Sequence, residues 1–125
     1  MYLLDTDIVI WVLRGNEKYE DLLENLSSNG SLTISTITIA EVYKNIFPSE
    51  TVKTENLLND LQSWDVTPLI AKQAGLYWQE YSKKLKNLNI TDCLIAATAS
   101  VHEATLVSLN KKHFPMKDIK VLKTL

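Results

Sequence analysis

Four polar residues from distant parts of the sequence stand where strands are expected to end or helices to begin. Asp5 follows the apolar run "MYLL", and Glu41 lies one turn into the helix expected after the strand "SLTIS". Asp92 opens the segment "ITDCLIAATASVHEA", and Asn110 closes the strand "TLVSL". Ligands of open parallel sheets bind beyond the carboxyl ends of the strands. The topology can therefore bring all four residues to one edge of a sheet.

Carboxylates that converge on one place repel each other unless one is protonated or a cation lies between them. A hard divalent ion with oxygen ligands satisfies such a group. Asp5, Glu41 and Asp92 together therefore predict a cation site.

Two of these acids also have purely structural interpretations. The segment "TIAE" fits a capping box in which Glu41 reaches back to the backbone of Thr38. Asp92 suits the positive end of its helix dipole, with Thr91 as the cap.

The same holds for the other candidates. Asp5 and Asp7 could cap the first helix, and Asn110 could form an Asx turn. We interpret Asp5 as a metal ligand at the end of its strand and Asp7 as a cap or surface residue.

Strand-like and helical patterns alternate along the chain. The expected strands are "MYLL", "SLTIS", "DVTPLI" (as a strand or extended connection), "TLVSL" and "IKVL". The expected helices cover residues 6–15, 17–30, 38–47, 51–64, 71–86 and 90–104. Such alternation with short loops predicts an α/β fold whose parallel sheet is covered on both faces.

Composition indicates one globular domain over residues 1–125, with 46% hydrophobic and 22% charged residues. The single cysteine, Cys93, cannot form an internal disulfide, which favours a reducing compartment. The first residues lack the pattern of a signal peptide, and no apolar stretch approaches the roughly 20 residues that span a bilayer. We expect a cytoplasmic protein without a membrane segment.

Charge is distributed unevenly along the chain. Residues 1–62 carry four basic residues against ten acidic ones, a net charge of −6, whereas residues 63–125 carry nine lysines against five acids, a net charge of +4. The lysines cluster at residues 83–86 and 111–123. Each cluster suits a solvated face, and the asymmetry also suits an acidic site with a basic rim.

Successive blocks of the sequence resemble PIN-domain proteins, most closely the VapC-like toxins of bacterial toxin–antitoxin systems. The blocks are "YLLDTDIVIWVLRG", "STITIAEVYKNI", "ITDCLIAATAS" and "LVSLNKKHF", and "DCLIAATA" is the most specific. The resemblance runs from residue 2 to about residue 123. It implies a three-layer α/β/α sandwich with a central, mostly parallel sheet and a ribonuclease site that depends on Mg²⁺ or Mn²⁺.

The resemblance also implies roles for individual residues. Asp5 matches the first metal-binding aspartate, Glu41 the family glutamate and Asp92 the aspartate that heads a late helix. Thr6 falls where the family often has a hydroxyl beside the first acid, and Asn110 matches the polar residue after a late strand. We expect Asp5, Asp92 and Glu41 to hold the ion and Asn110 to take part in the catalytic site.

Three further residues have open roles. Many relatives carry an aspartate where this chain has His113, which could be a weak ligand, a proton donor or a structural residue. Arg14 could clamp a phosphate or act as an exposed helix-terminal cation. Tyr43 could stack on a base, although we expect it to be buried.

The expected function is hydrolysis of RNA by a metal-dependent endoribonuclease, and the family resemblance implies a small antitoxin partner and a homodimer. An alternative is a non-catalytic module that binds RNA or protein on the same fold. A phosphoacceptor receiver domain is disfavoured because the "LTIS" strand does not end in an aspartate. Most of the large aromatic residues are expected in the core and part of them at an interface: Trp11, Trp64, Tyr77, Trp78 and Tyr81.

Overall fold

A five-stranded parallel sheet forms the centre of the protein in the computed structural model, which describes residues 1–123. The strands are β1 (Tyr2–Leu4), β2 (Leu32–Ser35), β3 (Gln62–Trp64), β4 (Thr105–Val107) and β5 (Lys120–Val121). Their order across the sheet is β3-β2-β1-β4-β5, and every pairing is parallel. The predicted parallel α/β sheet is confirmed.

Six α-helices connect the strands. They are α1 (Thr6–Leu13), α2 (Glu17–Ser27), α3 (Thr36–Asn45), α4 (Thr51–Asn59), α5 (Pro68–Tyr81) and α6 (Ile90–His102). Two short 3-10 turns cover Pro48–Glu50 and Lys111–His113. Within residues 1–123, no helix is both long enough and apolar enough to cross a membrane.

The sheet separates two hydrophobic cores because successive side chains of a strand point to opposite faces. Leu3 belongs to the core that contains the buried residues of α5 and α6, and Leu4 to the core that contains those of α1, α2 and α3. Leu106 and Val107 of β4 divide between the two cores in the same way. The expected three-layer α/β/α arrangement is therefore confirmed.

The strand order places a topological switch point beside the central strand. The chain leaves β1 for β2 on one side and later returns to β4 on the other. Ligand crevices of open α/β sheets lie beyond the strand ends at such a point. The candidate site is therefore expected where β1 and β4 end.

The predicted boundaries are wrong between residues 51 and 70. The expected helix over 51–64 ends at Asn59, and Gln62–Trp64 form the edge strand β3. The segment "DVTPLI", expected as a strand or extended connection, is a connection only over residues 65–67 and then contains the start of α5. Pro68 occupies the first turn of this helix, and Thr67 Oγ1 accepts a 3.2 Å hydrogen bond from the Ile70 N–H. Proline is well suited to this position because its missing N–H would have no partner within the helix.

Candidate metal centre

Asp5 lies directly at the switch point. It follows β1, is only 6% exposed, and its backbone N–H donates a 2.9 Å hydrogen bond to the Val107 carbonyl at the end of β4. Its Oδ1 accepts from the Thr6 N–H at 2.8 Å, so Asp5 is also the N-cap of α1. Its Oδ2 accepts from the Ser108 hydroxyl at 2.7 Å. Capping therefore fixes the orientation of this carboxylate at the crevice.

Glu41 reaches the same region from α3. The capping box proposed for it is wrong, because α3 begins at Thr36 and Ser35 is its cap, accepting from the Ile37 N–H at 3.1 Å. Glu41 Oε1 instead accepts a 2.7 Å hydrogen bond from the hydroxyl of Thr6. Glu41 is therefore hydrogen-bonded to Thr6, the residue that follows Asp5.

Asp92 stands in the first turn of α6. Thr91 is not the cap of this helix, because Asn89 Oδ1 accepts the 2.8 Å hydrogen bond from the Asp92 N–H. His113 Nδ1 lies 3.4 Å from Asp92 Oδ2. That oxygen is buried and accepts no hydrogen bond from the described residues. His113 therefore faces the candidate site.

Asn110 lies at the same edge of the sheet and contacts a fourth acid, Asp7. Its side-chain amide donates a 2.5 Å hydrogen bond to Asp7 Oδ2, and its backbone N–H donates to Ser108 Oγ at 3.0 Å. Asp7 is half-buried and is not the cap of α1, a position that Asp5 takes. Asp7 thus contacts the predicted site residue Asn110.

The buried position of Asp5 disfavours its charge. Burial raises the pKa of Asp5 to about 6, and the negative charges of Asp7 and Asp92 add to that rise. The hydrogen bonds from Ser108 and Thr6 act in the opposite direction but do not cancel it. The ionised carboxylate is therefore held in a site that a positive charge would stabilise.

Asp92 is affected in the same way. Burial raises its pKa, the charges of Glu41 and Asp7 raise it further, and His113 lowers it. The acids predicted from the sequence therefore lie close enough to repel one another.

The donor atoms of this cluster fit a hard divalent cation. Within residues 1–123, no group of three or more His, Cys, Asp or Glu side chains is arranged so that it could hold a metal ion by itself. Mg²⁺ does not require one, since it keeps several waters and takes one or two carboxylates. Asp92 Oδ2 accepts no hydrogen bond from the described residues, and the acids repel one another; a cation would satisfy both features.

Two residues of this cluster were not predicted from the sequence as part of the site. Ser108 fell inside the expected strand "TLVSL", but β4 ends at Val107 and Ser108 follows it as Asp5 follows β1. Asp7 was interpreted as a cap or surface residue because it lies on the first turn of the helix, whereas its side chain contacts Asn110, which is 103 positions away in the sequence. A shorter prediction of β4 would have identified Ser108 as a strand-end residue.

Two other candidates, Arg14 and Tyr43, are exposed. Arg14 follows the last residue of α1, about 14 Å along the helix from Asp5. Its guanidinium donates a 3.4 Å hydrogen bond to the Asn45 carbonyl at the end of α3, which fits the helix-terminal cation. The expected burial of Tyr43 is wrong, because this side chain is 40% exposed.

Comparison with known proteins agrees with this fold and site. The PIN domain family matches residues 2–120. Ribonuclease VapC10 of Mycobacterium tuberculosis is 34% identical over 116 residues, which cover 93% of this chain and 87% of the relative. Ribonuclease VapC2 of Haemophilus influenzae is 34% identical over 119 residues, which cover 90% of this chain and 89% of the relative.

Solved structures give the same result. VapBC2 from Rickettsia felis, bound to a DNA fragment from its promoter, matches with a TM-score of 0.84 and 26% identity, covering 97% of this chain and 96% of that chain. A toxin–antitoxin complex from Klebsiella pneumoniae matches with a TM-score of 0.80 and 26% identity, covering 98% and 97%. The fold is a parallel α/β sandwich, and its site is a cluster of acids at the switch point of the sheet. The chain belongs to the PIN domain family.

Proposed function

We propose that this protein is a metal-dependent endoribonuclease and the toxin of a toxin–antitoxin pair. The observation that carries the proposal is the meeting of Asp5, Glu41 and Asp92 at the switch point of the sheet. The similarity to proteins named ribonuclease VapC supports RNA as the substrate.

Asp5 and Asp92 are the proposed ligands of the ion, which is Mg²⁺ or Mn²⁺. A carboxylate has about four lone-pair positions, so Asp5 keeps capacity for a cation beside its bonds to Thr6 and Ser108. A bound divalent ion would lower the pKa of a water and neutralise the oxygens of the phosphate. Asn110 supports this edge by holding Asp7 and contacting Ser108.

Glu41 is the proposed acceptor that orients the attacking water or assists the ion. The hydroxyl of Thr6 engages Oε1, which fixes the plane of the carboxylate and leaves Oε2 to accept a hydrogen bond from water. Such positioning contributes to catalysis because the reacting groups no longer have to search for their geometry.

The lysines near the site are proposed to hold the RNA backbone. Lys112 is exposed on the same 3-10 turn as His113, and Lys83, Lys84 and Lys86 follow α5. Contacts from lysine to phosphate give affinity and register without reading the sequence.

An antitoxin partner is supported by the complexes that this fold resembles, which are toxin–antitoxin assemblies. We propose that it covers the acidic site and packs on the exposed apolar side chains of α1, α3 and the following turn. These side chains are Trp11, Tyr43 and Phe47. Exposed apolar groups of this size favour a binding surface.

A homodimer is proposed through α5, where Leu69, Leu76 and Trp78 are exposed. Tyr77 on the same helix is buried, and Trp64 and Tyr81 are half-buried, so the aromatic residues divide between core and surface. We further propose one domain and a cytoplasmic location, which the family match over residues 2–120 and the free, buried Cys93 support.

The competing function is a non-catalytic module that binds RNA or protein. His113 favours it, because it places a neutral or cationic side chain where many relatives have an acid.

Incubation of purified protein, freed of antitoxin, with total RNA in Mg²⁺, in Mn²⁺ and in chelator separates the two functions. The wild type should cut only with metal, and Asp92→Asn and Asp5→Asn should lose cleavage while remaining folded. Asp21→Asn makes the same chemical change on the exposed face of α2 and should cut normally. Cleavage retained by both site variants would overturn the assignment, and a folded wild type inactive with either metal would favour the binding module.

A further inference from the structure

We propose that His113 is a direct nitrogen ligand of the cation held at Asp92, and that it shifts the site's preference from Mg²⁺ toward first-row transition ions such as Mn²⁺. The inference rests on the proposed function only in assuming that a cation occupies this site.

The distance between the two side chains is the first observation. His113 Nδ1 and Asp92 Oδ2 are 3.4 Å apart, beyond the usual 2.7–3.2 Å of an N–H···O hydrogen bond. Two atoms that bind one ion at right angles, each about 2.1–2.2 Å from it, lie about 3 Å apart. The pair is therefore spaced nearly as two neighbouring ligands of one ion.

The condition of Asp92 is the second observation. Its Oδ2 is buried and accepts no hydrogen bond from residues 1–123, although a buried polar atom normally has a partner. His113 Nδ1 faces this oxygen at 3.4 Å. A neutral imidazole protonated on Nε2 presents a lone pair at Nδ1, and an ion between the two atoms satisfies both.

The backbone holds His113 in this position. Its N–H donates a 2.9 Å hydrogen bond to the Asn110 carbonyl, and Phe114, the next residue, is buried. Asn110 in turn donates hydrogen bonds to Asp7 and Ser108. The imidazole is thus placed by a turn anchored on both sides, as a preorganised ligand requires.

The chemistry of the ligand sets the metal preference. Mg²⁺ is hard, loses water reluctantly and selects oxygen, whereas imidazole suits transition ions. A nitrogen ligand therefore weakens Mg²⁺ binding relative to Mn²⁺.

Metal binding by the full chain, stripped of metal, tests this without reference to cleavage. Mn²⁺ is titrated with and without competing Mg²⁺, and pulsed EPR of bound Mn²⁺ detects hyperfine coupling to an imidazole nitrogen. The chain has two histidines, so His102→Gln is the matched control. His102 is the last residue of α6, whose first turn contains Asp92, and its ring stacks on Trp64 with ring centroids 3.8 Å apart.

The wild type and His102→Gln should both show imidazole coupling. His113→Asp should lose it, and its ratio of Mn²⁺ to Mg²⁺ affinity should fall about tenfold. Circular dichroism verifies that each variant is folded. The imidazole coupling of the wild type is measured on the unsubstituted protein, so that result does not depend on whether a variant folds.

Three results would overturn the inference: bound Mn²⁺ without coupling in the wild type, coupling that persists in His113→Asp, or an absence of Mn²⁺ binding. In the first two cases metal-dependent RNA cleavage by the wild type would leave the ribonuclease proposal standing. If the wild type shows imidazole coupling from His113 but cuts no RNA, the metal site is real and the ribonuclease proposal is wrong.

Discussion

The hydroxyl of Thr6 donates a 2.7 Å hydrogen bond to Glu41 Oε1 and so joins the first residue of α1 to the middle of α3. Thr6 is buried, and its Oγ1 also lies 3.4 Å from Thr38 Oγ1. The backbone N–H of the same residue donates to Asp5. One threonine therefore orients two of the three proposed catalytic acids.

Replacement of Thr6 by valine tests this positioning because valine has nearly the same shape and lacks the hydroxyl. We expect Thr6→Val to lower the kcat of RNA cleavage about tenfold and the free energy of unfolding by about 1 kcal/mol. The measurements are cleavage kinetics and denaturant unfolding. Thr6→Ser keeps the hydroxyl and should remain close to wild type in kcat. Equal kcat values for Thr6→Val and wild type would show that Glu41 does not depend on this bond.

The raised pKa of Asp5 predicts that the metal-free protein loses stability as pH rises. The carboxyl binds its proton more tightly in the folded protein, where its pKa is about 6, than at the ordinary value of 3.8. Its favourable contribution is complete below about pH 4 and is lost as pH rises through about 6. At about 1.4 kcal/mol per pKa unit, the loss amounts to about 3 kcal/mol.

Asp5→Asn removes this titration and keeps a side-chain oxygen that can cap α1. In chelator, its free energy of unfolding relative to wild type should therefore rise by about 2.5 kcal/mol between pH 4 and pH 7. Urea unfolding across this pH range is the measurement, with Asp21→Asn as the exposed control. A stability difference that stays constant with pH would contradict the raised pKa.

Much of the fold follows from local sequence patterns, and its exceptions have identifiable causes. The runs around Leu3, Ile34 and Leu106 are buried strands whose apolar character is visible in the sequence. β3 was missed because it is an edge strand, and Gln62 and Ser63 are exposed. An exposed edge strand lacks the apolar pattern that identifies a strand.

The acids of the candidate site were predictable from position, whereas their supporting contacts were not. Asp5 and Asp92 follow a strand or open a helix, which the sequence reveals. The bonds from Ser108 to Asp5 and from Asn110 to Asp7 each connect residues 103 positions apart. They depend on where β4 ends and how the following turn folds back, and neither is encoded in a short motif.

Ser108 should matter more than its absence from the sequence prediction suggests. Ser108→Ala removes the hydroxyl that donates to Asp5 Oδ2 and accepts from the Asn110 N–H. The pKa of Asp5 should rise above its present value because the hydrogen bond that lowers it is lost. We expect unfolding free energy to fall by about 1–3 kcal/mol, since buried groups lose a partner.

The acidic limb of the cleavage rate against pH should also move to higher pH in Ser108→Ala. Ser49→Ala makes the same chemical change at an exposed position of the 3-10 turn Pro48–Glu50 and is the control. An unchanged pH profile together with normal stability would mean that Ser108 does not orient Asp5.

A separate hydrogen bond should affect stability without affecting the site. The hydroxyl of Tyr77 on α5 donates a 2.6 Å bond to Asp118 Oδ2, which also accepts from Ser100 on α6 at 3.2 Å. The ring of Tyr77 is buried, and burial raises its pKa to about 12. The hydroxyl is therefore neutral at physiological pH and ties two packed helices to the segment before β5.

Tyr77→Phe keeps the ring and removes only the hydroxyl. We expect it to lower the free energy of unfolding by about 1–2 kcal/mol, because the bond has a charged acceptor, and to leave metal-dependent cleavage unchanged. Tyr43→Phe makes the same change on an exposed ring and should leave stability within about 0.5 kcal/mol of wild type. Loss of cleavage in a folded Tyr77→Phe protein would mean that the α5–α6 layer is coupled to the carboxylates at the opposite end of α6.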